Sequence, residues 1–218
     1  MFPALTDFVA LVGVAVVVCA ACLRLSGLMF TTVDRVNAKG RWLVGICFVV
    51  MWIPVGLAQL PVAAYLRGVT SDFSVSLVVL AALHLFSRLF SLKLFDRREG
   101  QAVFYVVAAT AFFLYPLALG WGDWDAYRPG WGSAGMWAVL LLVCVACWVA
   151  GLRLLPLLIA LAMASWTAQL MESTNLWDYL FDPWLAVAAI FRTLVTGATQ
   201  LRHFLRRKTV RGTVGSDA

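Results

Sequence analysis

From Ala134 to Leu170 the chain carries a single charged residue, Arg153, and this run limits what the polypeptide can fold into more than any other feature. As one continuous helix it would measure about 55 Å, almost twice the hydrocarbon thickness of about 30 Å that a membrane helix must cross. The run therefore has to turn, and Gly151-Leu152-Arg153 is its only interruption. The whole chain of 218 residues is 63% apolar and 13% charged, with a mean hydropathy of +0.90. Soluble domains run near half apolar and a quarter charged. Apolar residues here fall in long blocks rather than alternating or amphipathic patterns. The expected fold class is an all-α integral membrane protein, a polytopic bundle of about seven transmembrane helices. Residues 1–208 form one transmembrane domain in this reading, and the polar stretch 209–218 is a disordered cytoplasmic tail.

Asking for roughly 17 to 25 apolar residues per crossing places spans at Phe8–Phe30, Trp42–Leu66, Phe73–Phe90, Ala102–Leu119, Ala134–Ala150, Leu154–Leu170 and Pro183–Leu201. The first is read as a retained helix and not an export signal, because no positive charge precedes it. Thr6-Asp7-Phe8 and Ser71-Asp72-Phe73 place cap residues before apolar runs, and Asp182 precedes a first-turn Pro183. Pro54 and Pro61 should bend the second helix and free carbonyls around Gln59, which requires cover from neighbouring helices and so an interior position. The echo of Thr6-Asp7-Phe8 in Ser71-Asp72-Phe73, and of Asp34-Arg35 in Asp96-Arg97, fits either two parallel hairpins or the common needs of any helix start and basic loop.

Charge sets the orientation. Arg35, Lys39 and Arg41, then Arg88, Lys93, Arg97 and Arg98, then Arg153, and finally Arg202, Arg206, Arg207, Lys208 and Arg211 all fall on one side of a seven-span chain. That side is cytoplasmic by the positive-inside rule. The other side holds Asp7, Asp72, Asp123, Asp125, Glu172, Asp178 and Asp182 against Arg67 and Arg128. The N-terminus is then outside and the C-terminus inside. The net charge of +6 is a loop charge in this reading, and nucleic acid is excluded as a partner.

Five cysteines, including the pairs Cys19/Cys22 and Cys144/Cys147, lie within apolar segments and are read as packing residues. No metal site and no cofactor is expected. His84 has no second intramembrane histidine to share a haem with, and is read as a packing residue. Motifs of serine proteases, retinal proteins, phosphatases and nucleotide-binding proteins are absent.

Polar and aromatic residues gather in two connections of the outer side, Gly120–Ser133 and Glu172–Trp184. The ligand-binding candidates there are Asp123, Trp124, Asp125, Glu172, Trp177, Asp178, Tyr179 and Asp182. Flat rings beside carboxylates suit the CH faces and hydroxyls of sugars, and paired carboxylates could act as acid and base. The same residues would also serve as an interfacial belt with helix-capping acids. Arg192 lies about 15 Å along the last helix if that helix starts at Pro183, which puts a charge near the bilayer centre facing a partner, whereas a span starting at Leu176 would place it at the inner interface and make Thr193 to Lys208 a basic surface helix. Glu172 and His84 are the nearest partners by depth. The chain is expected to be a multi-pass bacterial inner-membrane protein, a non-enzymatic accessory or transport component of envelope lipid or polysaccharide handling. Its partners would be membrane lipids, envelope-complex proteins and a lipid-linked saccharide. The competing reading is a membrane enzyme acting on a lipid-linked substrate through the loop carboxylates.

Overall fold

The computed structural model describes residues 5–29 and 38–214. Within them the chain forms nine α-helices: α1 (Leu5–Met29), α2 (Ala38–Met51), α3 (Val62–Thr70), α4 (Val75–Phe90), α5 (Arg97–Ala118), α6 (Ala134–Val149), α7 (Leu154–Thr167), α8 (Leu176–Leu180) and α9 (Pro183–Val214). Two of them, Leu5–Gly27 within α1 and Arg97–Ala118, are long and apolar enough to cross a membrane. Shorter apolar helices are α4, α6 and α7. Asp34 and Arg35 of the sequence echo lie outside the described residues.

The long apolar run turns where its only interruption lies. Helix α6 ends at Val149, Gly151 adopts φ +71, and α7 begins at Leu154. A left-handed backbone is open to glycine at no steric cost, which is why the break falls there. The second apolar segment departs from expectation. Instead of one bent helix from Trp42 to Leu66, the chain leaves α2 at Met51 and forms a hairpin in which β1 (Pro54–Val55) pairs antiparallel with β2 (Leu60–Pro61), then resumes as α3. Two prolines bracketing a glycine turn cannot donate to a helical ladder, so the helix breaks outright. Gln59 bonds the turn with its own Nε2, which donates to the Gly56 carbonyl at 3.1 Å. The segment is also peripheral, not interior: Trp42, Ile46 and Val49 are exposed.

Two caps differ as well. Asp7 lies in the first turn of α1, and α4 is capped by Ser74, whose Oγ accepts from Leu77 N at 3.2 Å. Asp182 caps α9 as its sequence position implies, accepting from Leu185 N at 2.8 Å. Helix α9 runs on through Val214, into the stretch that composition alone assigns to a disordered tail.

The core has three clusters, two along α1 and a larger one around α5, α7 and α9. Leu11, Val14 and Ala15 of α1 pack with Met51 and Ala63, while Cys19 and Leu23 meet Ala81 and Leu85 of α4. The larger part gathers Val103, Val107, Ala111 and Leu114 of α5, Leu158 and Ala162 of α7, and Leu185, Ala186 and Ala189 of α9. Leu80 and Leu83 of α4 pack against it. Apolar side chains also remain exposed on α6 (Leu142, Trp148, Val149) and α9 (Val187, Phe191, Leu194).

Most successive helices run in opposite directions, except that α2 and α3 both end near the start of α1, beside Phe8 and Asp7. The start of α1, the end of α3 and the segment after α7 converge on one side chain, Arg67, while the starts of α4 and α9 are joined by Asp182. At the other end, Arg153 N before α7 donates to Glu99 of α5 at 2.8 Å. The first is the acidic end of the molecule and the second its basic end. The α5–α9 contact relies on small residues, so Ala189→Leu should overpack it and cost about 1 to 3 kcal/mol. Leu194→Ala on the exposed face should leave the thermal midpoint nearly unchanged, and equal losses for the two variants would contradict this packing.

Candidate functional site

The acidic end is organised by one cation. Arg67 sits in the last turn of α3, and its Nη1 donates to Asp7 Oδ1 at 2.7 Å, its Nε to Asp72 Oδ1 at 2.5 Å and its Nη2 to Glu172 Oε1 at 2.7 Å. A second bond, Nη2 to Asp72 Oδ2 at 3.3 Å, makes the Asp72 contact a fork. A planar guanidinium with five N–H donors can serve three carboxylates at once and still fork onto one of them.

Around this hub, the two outer connections are stitched together by α8 and a short 3-10 turn, Arg128–Trp131. Asn175 caps α8, accepting from Trp177 N at 2.9 Å, while its Nδ2 donates to the Tyr127 carbonyl at 3.1 Å. Trp177 Nε1 donates to the Ala126 carbonyl at 3.2 Å. Gly130 lies directly against the Asn175 amide and the Trp177 ring, so that a Cβ would collide with both. Asp178 accepts from the hydroxyls of Tyr127 and Ser173. Tyr179 is fully buried, its hydroxyl accepting from Met171 N at 3.2 Å and donating to the Ser173 carbonyl at 3.0 Å. Asp182, 5% exposed, also accepts from Ser74 N at 2.7 Å, tying the starts of α9 and α4.

Between these elements lies a cavity of about 440 Å³. Its walls include Tyr115, Tyr127, Trp177, Asp178 and Glu172, with Asp72 and Asp182 beside them. Four of the sequence candidates therefore line it: Glu172, Trp177, Asp178 and Asp182. Tyr179 does not line the cavity but bonds the loop around it. Asp123, Trp124 and Asp125 flank a separate depression with Arg128 and Trp131. There Asp125 closes its own turn, accepting from Tyr127 N at 2.9 Å and Arg128 N at 3.2 Å. Trp124 leans on Phe113 with ring centroids 5.8 Å apart.

Arg192 is not part of this site, and its expected pairing is not found. Glu172 is held by Arg67, and among the described residues no carboxylate forms an ion pair with Arg192. The guanidinium instead lies 4.8 Å over the Phe104 ring. His84 lines the same basic-end pocket as Arg192. Sequence reasoning missed Arg67, Asp72 and Tyr115 as site residues. One of two cations on an acidic side, lying between two matching Asp-Phe starts, is the signal that could have found the first two.

Chemically, the cavity offers aromatic faces, hydroxyls and carboxylates that are already engaged. Among the described residues no group of three His, Cys, Asp or Glu side chains could hold a metal ion. The cysteines are free thiols, with Cys47 Sγ 3.9 Å from Cys22 Sγ between α2 and α1. Compared with protein-family models, curated proteins and solved structures, the chain matches none of them.

Burial, and then the Asp178 carboxylate, push the Tyr127 phenol well above its ordinary range. The neutral phenol is thus favoured by folding. Its contribution is fully present below about pH 10, where an unfolded tyrosine is also neutral, and is lost as pH rises through the higher folded value. Tyr127→Phe should therefore flatten the decline of thermal stability above about pH 10. Parallel declines in variant and wild type would contradict the assignment.

Proposed function

We propose that the chain is a multi-pass protein of a bacterial-type inner membrane with its acidic end outside, a non-enzymatic accessory or transport component of envelope lipid or polysaccharide handling. The cavity receives the hydroxylated headgroup of a lipid-linked saccharide. Membrane placement is supported by the apolar side chains left exposed on α2, α6 and α9, a coverage that water-soluble monomers rarely tolerate. It is supported also by the separation of basic from acidic residues between the two ends of the helices. About seven crossings fit the mostly alternating helix directions. At 1.5 Å per residue, α4, α6 and α7 are about 21 to 24 Å long, so their flanking turns complete the span.

The observation that carries the ligand reading is the convergence of Trp177, Tyr127 and Tyr115 with Asp178 and Glu172 on one cavity. Ring faces stack on sugar CH groups, and carboxylates accept from hydroxyls. The non-enzymatic reading rests on what those carboxylates already do. Asp182 accepts two backbone N–H groups, Asp72 and Glu172 hold Arg67, and Asp178 takes two hydroxyls. A general acid or base needs an oxygen free to exchange a proton with substrate, and both oxygens of Asp178 and of Asp182 are already engaged.

Purification in mild detergent, with mass spectrometry of co-purifying lipids, tests this. Wild-type protein should carry a saccharide-bearing lipid, and Trp177→Ala should reduce its occupancy about fivefold, the equivalent of about 1 kcal/mol of stacking. Trp121→Ala, which alters an exposed ring outside the cavity, should not. Equal lipid profiles in all three would end the ligand reading. An Asp178→Asn variant that accumulates at normal abundance but retains an unprocessed lipid would establish the enzyme reading instead.

A further inference from the structure

At the basic end, α4, α5 and α9 enclose a second pocket of about 610 Å³ whose lining includes Arg88, Arg97 and Arg192. Three observations about it stand independently of the acidic cavity. First, these cations lack counter-ions: every ion pair among the described residues belongs to Arg67. Asp96, the acidic residue in the lining, sits at the N-cap of α5 in a capping box with Glu99. The charge of Arg24 on α1 reaches both His84 and Arg192 and adds to the imbalance.

Second, His84 Nε2 and Thr193 Oγ1 are buried without a hydrogen-bond partner, and both residues line this pocket. Buried polar atoms are almost always satisfied, and leaving one unpaired costs about 1 to 3 kcal/mol. Two such atoms beside three guanidinium groups without a carboxylate partner form a donor set that suits an acceptor-rich anion. Third, Arg192 is oriented rather than free, because its guanidinium lies over the Phe104 ring at 4.8 Å. A stacked guanidinium keeps its edge N–H groups available for a bidentate acceptor.

We propose that this pocket is a phosphate-ester site. Arg192 and Arg88 would grip the phosphate oxygens, with Thr193 and His84 donating to the same group, and Arg97 closing the mouth. Tetrahedral phosphate presents several acceptors around one centre, which matches donors arriving from three helices, whereas a carboxylate presents two in one plane. The ester can belong to an anionic phospholipid or to a soluble metabolite. A basic pocket between helices is a recognised lipid headgroup site when it lies at the cytoplasmic side. The exposed apolar side chains Phe191, Leu194 and Val195 beside Arg192 give acyl chains a surface to follow.

The test uses the full chain in detergent micelles doped with phosphatidylglycerol or phosphatidylcholine, or supplied with glycerol 3-phosphate. Native mass spectrometry counts bound molecules, and a thermal shift gives the apparent affinity. One phosphatidylglycerol should bind saturably and in preference to phosphatidylcholine. Arg192→Gln should weaken it about tenfold, the size of one charge-assisted hydrogen bond. Arg98→Gln, an exposed charge at the same end outside the lining, should have no such effect. Should Arg192→Gln fail to accumulate, the near-isosteric Thr193→Val and the Arg192→Lys variant read the same site. Saturable binding of glycerol 3-phosphate with no lipid preference would keep the phosphate site and assign it to a soluble ester. Equal binding of the two lipids without glycerol 3-phosphate binding, or affinities untouched by Arg192→Gln and Thr193→Val in folded protein, would overturn the proposal.

Discussion

The ion cluster centred on Arg67 is the constraint on which the acidic end depends. Asp7, Asp72 and Glu172 come from three separate parts of the chain, and one guanidinium with a 19% exposed side chain neutralises part of their charge. Partly buried pairs of this kind return little net stability compared with apolar packing. Removing one partner is nevertheless expensive, because the remaining charges stay where they are. Here the loss would leave three carboxylates facing one another where α1, the α3–α4 link and the α7–α8 link meet. The cluster therefore fixes the arrangement of segments more than it adds to stability. The cavity depends on that arrangement, since Asp72 and Glu172 stand in its wall.

The two ends of the helices differ in how their charges are satisfied. At the acidic end Tyr127, Asp178, Ser173 and Asn175 form a continuous hydrogen-bonded set. Such a set holds ring faces and hydroxyls in place for recognition. At the basic end, among the described residues, three arginines lack a carboxylate partner and two buried polar atoms lack a hydrogen-bond partner. Helices α4, α5 and α9 contribute to both ends. A single rigid frame thus presents a filled network on one side and an open donor set on the other.

What could be read from the sequence was local. The turn at Gly151 follows from the length of one apolar run, and the Asp182 cap follows from its place before Pro183. The hairpin at Pro54–Pro61 was visible only as a bend, because Val55, Leu57 and Leu60 keep its hydropathy continuous with the helices on either side. The outer connections are legible as one aromatic and acidic cluster, yet of the eight ligand-binding candidates only Glu172, Trp177, Asp178 and Asp182 line the cavity. Asp125 closes its own turn with one oxygen, Oδ1, a use that composition does not separate from ligand binding. Contacts across long stretches of chain, such as Arg67 with Glu172, leave no periodic trace. Of the two partners expected of Arg192, Glu172 is held by Arg67 instead, while His84 lines the same pocket as Arg192.

A double-mutant cycle between Arg67 and Asp72 tests the central claim most directly. Unfolding free energies of Arg67→Met, Asp72→Asn and the double variant isolate the coupling of the forked pair within its network. The hub predicts a coupling of about 1 to 3 kcal/mol, with the double variant less damaged than the sum of the single ones. Additive effects within about 0.3 kcal/mol would mean that the cluster is a surface decoration, and would contradict the account.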